Sequence, residues 1–145
     1  TIESSFISED SLTKNKLFQE ISDTYNELAL TLLTNEINNN KKSSLESLNI
    51  NGNNRIISES LRLLKESLKY TPMNKNIYIN IGDIHFYLKD YNKAYYYYSK
   101  AYKIDFKDSE IKARISGILY KYAMISFNTK NYSESIEFLQ KAIEL

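Results

Sequence analysis

Hydrophobic residues recur every three or four positions through most of the chain, with polar residues between them. Such spacing is typical of amphipathic helices, and here it predicts six of them. The predicted helices cover about Ser11–Glu36, Arg55–Tyr70, Lys75–Leu88, Lys93–Ile104, Asp108–Asn128 and Tyr132–Leu145. No segment shows the alternation of a convincing strand. The pattern therefore predicts an all-α fold.

Two stretches depart from the helical pattern. Residues 1–10 form a short polar N-terminal segment with one apolar pair, Phe6 and Ile7. Residues 38–54 are rich in Asn, Ser and Lys, and such a composition buries too little apolar surface to offset chain entropy. We therefore interpret residues 38–54 as a mobile insertion, and residues 11–145 as a single domain.

The amino-acid composition limits the fold types and the kinds of catalytic or metal site that the chain can form. The 145 residues include only 3 Gly and 1 Pro, which disfavours a turn-rich β fold. The absence of cysteine excludes disulfides and thiolate chemistry, and His85 is the single histidine. No spacing arranges a nucleophile, a pair of carboxylates or a set of metal ligands, so we expect no enzyme and no cofactor. We expect His85 to pack among aromatic side chains.

Charge is nearly balanced, with 19 basic and 18 acidic side chains, so no global field favours nucleic acid. Lys93, Lys100, Lys103 and Lys107 recur along the fourth helix and form what we call the Lys stripe. We interpret it as a solvated outer face, with an acidic partner or anionic surface as the alternative. The chain shows neither a signal peptide nor an apolar span, so we expect a soluble domain without direct membrane insertion. The sequence does not identify its compartment: we leave open a cytoplasmic domain and one that is exported after removal of a leader.

Three pairs of helices share one arrangement of large and small residues. In the first helix of each pair a large residue precedes a small one, at Leu28-Ala29, Ile81-Gly82 and Tyr122-Ala123. The second helices place small, large and small residues at matching positions: Ser60, Leu64 and Ser67; Ala94, Tyr98 and Ala101; and Ser135, Leu139 and Ala142. Small residues let two helices approach closely, and large ones fill the space beside them.

This arrangement resembles the tetratricopeptide repeat family, whose motif of about 34 residues carries Leu-Gly in its first helix and Ala-x3-Phe in its second. The middle copy matches best, through Ile81-Gly82 and Ala94, Tyr98 and Ala101. The resemblance implies stacked antiparallel helical hairpins in a right-handed solenoid. We expect a three-repeat fragment of a longer protein, with hairpins over about residues 11–72, 75–107 and 108–145.

The resemblance also implies a non-enzymatic scaffold that binds a peptide or helix of another protein in a concave groove. We expect the bound segment to be apolar or amphipathic, with Phe86 and Tyr120 as anchors. The alternative is a structural role, in which the region forms a homo-oligomer or supports a neighbouring domain of its own chain. The repeat register places the expected binding residues on the first helix of each hairpin: Leu30, with Leu33 beside it; Ile79, Asn80, Asp83, Phe86 and Tyr87; and Tyr120, Lys121, Met124 and Phe127.

Overall fold

A computed structural model describes residues 2–39 and 55–145. These residues form six α-helices and no strand, which confirms the all-α prediction. The helices are α1 (Ile2–Asn39), α2 (Arg55–Tyr70), α3 (Lys75–Tyr87), α4 (Tyr91–Ile104), α5 (Ser109–Asn128) and α6 (Tyr132–Ile143). None of the described helices is both long enough and apolar enough to cross a bilayer.

The chain divides into two compact units. Unit 1 is Thr1–Ile77 and contains α1 and α2, and unit 2 is Tyr78–Leu145 and contains α4, α5, α6 and most of α3. The predicted helix boundaries are accurate to about two residues except in α1. That helix begins at Ile2, so the prediction that it starts near Ser11 is wrong. The apolar pattern identifies this helix only from about Ser11 onward. Residues 2–10 contain no Gly or Pro that would end a helix, so α1 extends through them to Ile2.

The predicted insertion falls mostly outside the described residues. Asn38 and Asn39 complete α1, and residues 40–54 lie outside the range that the structure describes. The interpretation of this stretch as an insertion therefore stays a prediction.

The core of unit 2 is formed by residues of α3, α4 and α5. A Cβ atom at Gly82 would lie 2.5 Å from Cδ1 of Tyr98, so only glycine allows this approach. Tyr98 is itself buried and shares one apolar cluster with Ile111 and Ile118 of α5. The close contact of Gly82 with Tyr98 confirms the register assigned to the middle repeat.

The two hairpins of unit 2 share the same turn between their helices. Lys89 and Lys130 each adopt a left-handed conformation, with φ values of 62° and 64°. In both turns the lysine N–H donates to the carbonyl three residues earlier, in Phe86 and Phe127 respectively. The hairpins therefore agree in backbone geometry as well as in sequence spacing.

In the last hairpin α6 packs against α5 with one side. The Ser135 hydroxyl donates to the Ala123 carbonyl oxygen at 2.9 Å, and the Phe138 ring lies 5.3 Å from that of Tyr122. Leu139, expected to fill space in the core, is instead 40% exposed, so that expectation is wrong. The outer side of α6 is exposed, including Ile136 and Ile143.

In unit 1, α1 packs against α2 across small residues. Ser22, Ala29 and Ser67 are fully buried, and the Ser67 hydroxyl donates to the Ser22 carbonyl oxygen at 2.7 Å. This contact fixes which side of α1 faces α2. Leu33 lies on that side and is 5% exposed, whereas Leu28 points away and is 48% exposed. The repeat register predicts an exposed Leu33 and a buried Leu28, and both predictions are wrong.

Candidate functional site

Unit 2 contains a cavity of about 350 Å³ formed by α3, α4 and α5. We call it the α3–α5 cavity. One side is lined by Asp83, Phe86 and Tyr87 of α3, with Tyr98 of α4 behind them. The other side is a single face of α5, whose lining residues recur every three or four positions: Glu110, Ala113, Arg114 and Gly117.

Asp83 organises the polar part of this cavity. Its Oδ1 atom accepts hydrogen bonds from the Tyr98 hydroxyl at 2.6 Å and from Nε of Arg114 at 2.8 Å. Its Oδ2 atom accepts a further bond from Nη2 of Arg114 at 3.1 Å, and Nη1 of Arg114 donates to Oε1 of Glu110 at 2.7 Å. A planar guanidinium held at all three nitrogens is fixed in orientation.

The start of α5 is positioned by a helix cap. The Asp108 side chain accepts hydrogen bonds from the backbone N–H groups of Glu110 and Ile111, at 2.8 and 3.2 Å. A cap of this kind satisfies backbone donors that otherwise lack a partner in the first turn. It therefore fixes the turn that carries Glu110 into the α3–α5 cavity.

Protonation states in the cavity follow from these contacts. The hydrogen bonds to Asp83 and Glu110 raise the pKa of the Arg114 guanidinium, which therefore stays charged. Burial, and then the hydrogen bond to Asp83, raise the pKa of the Tyr98 phenol far above its usual value, so the phenol stays neutral. The lining thus combines two carboxylates with one guanidinium and carries one net negative charge.

The α5 face continues beyond the cavity as an exposed apolar surface. Tyr120, Met124 and Phe127 follow Gly117 at spacings of three or four and are 52%, 40% and 54% exposed. We call these three residues the α5 stripe. Lys121 is exposed beside Tyr120, and the Phe127 ring lies 5.5 Å from that of Tyr132.

The predicted residues of α3 differ in their surroundings. Phe86 is half-buried, with its ring 5.5 Å from that of Tyr91, and Tyr87 is exposed beside it. Asn80 is half-buried. Ile79 is only 6% exposed and belongs to the core cluster with Ile111, so the expectation that its side chain is exposed for partner binding is wrong. Leu30 lies in unit 1, where it is exposed.

Sequence reasoning missed the α5 side of the cavity, including Arg114. These residues stand in the early turns of a helix that is 20 residues long, against 13 in α3, so the repeat register assigns them no role. The signal available in the sequence is their spacing, which places them on one face of the extra turns.

His85 and the Lys stripe occupy surroundings of other kinds. His85 is buried and its ring stacks on that of Tyr97 at 5.6 Å, which confirms the predicted aromatic packing. The four lysines of the Lys stripe are exposed, and Lys93 pairs with Asp90 at 2.8 Å. Lys107 lies beyond the end of α4, so its predicted place on that helix is wrong. No group of three or more metal-ligating side chains occurs among the described residues.

Family models of the tetratricopeptide repeat match residues 76–108 and residues 116–145. These two segments are tetratricopeptide repeats. The two matched repeats correspond to the hairpins α3–α4 and α5–α6, and Glu110, Ala113 and Arg114 precede the second match. No curated protein matches the chain. Tetratricopeptide repeats generally mediate protein–protein interaction, and the family is typically a non-catalytic scaffold.

Proposed function

We propose that this protein is a non-enzymatic scaffold that binds an apolar or amphipathic segment of a partner along the α5 stripe and the α3–α5 cavity. One observation carries the proposal: the three large apolar side chains of the α5 stripe are all at least 40% exposed on one helix face. Exposed apolar clusters of this kind usually mark a contact surface.

The proposal gives the predicted binding residues distinct roles. Tyr120 is the principal anchor, because exposed aromatic side chains contribute strongly to binding energy. Phe86 lines the cavity but also packs on Tyr91, so its truncation would loosen the fold as well as the site. Lys121 and Asn80 orient the bound segment, while Asp83 and Tyr87 form the cavity wall. Leu30 stays a separate candidate in unit 1.

Peptide selection tests this proposal. A phage library of random segments of about 12 residues is selected on the immobilised protein, and the Kd of a selected synthetic peptide is measured by fluorescence polarisation. Changing Tyr120 and Met124 to Ala should weaken binding by at least about 2 kcal/mol, roughly 30-fold, while circular dichroism stays native.

A matched control uses two exposed aromatic residues of α4. Changing Tyr95 and Tyr96 to Ala removes similar apolar area elsewhere and should leave peptide affinity unchanged. If peptide binding instead survives the α5 substitutions and is lost when Lys93, Lys100 and Lys103 are changed to Glu, the Lys stripe is the binding surface and the proposal fails.

A second candidate function is self-association, and an exposed face of α6 favours it. Tyr132, Ile136, Leu139 and Ile143 are 40–84% exposed at spacings of four, three and four residues. This is the spacing of a helix that packs against another helix in a coiled coil. A homodimer would bury this face.

The molecular mass in solution, measured over a range of protein concentrations, distinguishes self-association from peptide binding. Self-association predicts a concentration-dependent dimer by analytical ultracentrifugation, which becomes monomeric when Ile136 and Leu139 are changed to Lys. A monomer at every concentration would remove this candidate and leave the peptide-binding proposal intact.

A further inference from the structure

The α3–α5 cavity differs chemically from the apolar α5 stripe beside it, and we infer that it selects a basic side chain of the bound segment. In this arrangement a Lys or Arg of the partner enters the cavity while neighbouring apolar residues lie on the α5 stripe. The inference rests on the proposed function of the α5 stripe and adds the charge of the partner segment.

Charge complementarity is the first argument. The cavity carries two carboxylates, of Asp83 and Glu110, against the single guanidinium of Arg114. Each of the three nitrogens of that guanidinium already donates to one of these carboxylates. An incoming anion would therefore meet two negative groups and have to displace one of them. A cation would meet a net negative lining.

The aromatic side chains point to the same occupant. Phe86 and Tyr87 both line the cavity, with their rings edge to face and the centroids 6.1 Å apart. Ring faces attract a cation, and the long apolar stems of Lys and Arg pack well on aromatic surfaces while their charged ends reach a carboxylate. An acidic side chain has neither property.

Space for such a side chain is available at Gly117. A Cβ atom at this position would meet no atom within 4 Å, so the helix leaves open space where it lines the cavity. This opening also supplies a direct test, because a larger side chain at position 117 starts in open space and fills part of the cavity.

The experiment uses three peptide libraries of about 12 residues that are random except for a central Arg, Leu or Glu. Selection on the 145-residue protein should enrich the Arg-centred pool at least about tenfold over the Glu-centred pool, because like charges oppose the latter. Enrichment of the Glu-centred pool would overturn the inference. Equal enrichment of the Arg-centred and Leu-centred pools would also overturn it, yet would leave the proposed function standing.

Two variants test the residues themselves. Glu110→Lys changes a side chain that is 65% exposed and should reverse the preference toward Glu-centred peptides, whereas the matched control Glu137→Lys on α6 should not. Gly117→Leu should weaken a selected Arg-centred peptide by at least about tenfold, with Lys103→Leu on α4 as its control.

The folding of both variants is checked by circular dichroism. An unchanged preference in Glu110→Lys, with the fold intact, would exclude the cavity as the charge-selecting site even if the Arg-centred pool is enriched. If Tyr120→Ala abolishes peptide binding but the wild type shows no charge preference, the proposed function stands and this inference alone fails.

Discussion

Unit 1 and unit 2 both bring two helices together across small buried residues, and they differ in what fills the contact. In unit 1 the helices meet through serine, with the Ser67 hydroxyl donating to the Ser22 carbonyl oxygen. In unit 2 a glycine allows an aromatic ring to lie directly on the helix, at Gly82 and Tyr98. The family matches lie almost wholly in unit 2. Burial of small residues is therefore shared, while the contact of a glycine with an aromatic ring distinguishes the α3–α4 repeat.

The difference reaches the candidate site. Leu64 of unit 1 stands at the position that Tyr98 occupies in the middle repeat, and both side chains are buried. Leu64 ends in methyl groups, whereas Tyr98 ends in a hydroxyl that donates to Asp83. A core residue of unit 2 thus extends a polar group into the α3–α5 cavity. Packing and site chemistry are coupled in unit 2 through this one side chain.

The largest effect on stability is predicted for a substitution that disrupts the contact of Gly82 with Tyr98. Gly82→Leu places side-chain atoms where Tyr98 lies, and overpacking of a core should cost about 1 to 3 kcal/mol or more in the free energy of unfolding. Gly117→Ala is the matched control, because the added methyl group meets open space. It should stabilise the helix by up to about 1 kcal/mol. Urea denaturation followed by circular dichroism measures both, and wild-type stability in Gly82→Leu would show that the contact of Gly82 with Tyr98 does not limit the size of residue 82.

A smaller effect tests the serine contact of unit 1. Ser67→Ala removes the hydrogen bond to the Ser22 carbonyl and should cost about 1 kcal/mol in the free energy of unfolding. Ser60 is equally buried, and its hydroxyl has no hydrogen-bond partner among the described residues, so Ser60→Ala should be neutral or stabilising. An equal loss of unfolding free energy in the two variants would show that the small size of these serines, and not the Ser67 hydrogen bond, stabilises the contact.

The sequence predicts the six helices and the contact of Gly82 with Tyr98 because these depend on local spacing and on small residues in a recognisable register. It misplaces Leu28 and Leu33 because the side of α1 that faces α2 is set by the serine contact, which no apolar pattern displays. The burial of Ile79 and the contact of Arg114 with Asp83 are not predicted, for a related reason. The early turns of α5 bury Ile79 and bring Arg114 to Asp83, and those turns precede the repeat motif.

The smallest effect concerns the Tyr98 hydroxyl and appears only at high pH. Its pKa is raised in the folded state by burial and by the bond to Asp83, with Arg114 acting in the opposite direction. In the unfolded chain the phenol loses its proton near pH 10, whereas the folded protein retains it, so the stabilisation is complete below about pH 10 and declines above it. The free energy of unfolding should fall by about 0.8 kcal/mol more in the wild type than in Tyr98→Phe between pH 9 and pH 10.5. The difference between the two proteins isolates Tyr98 from the other tyrosines, and parallel pH curves would show that its hydroxyl is not held neutral by the fold.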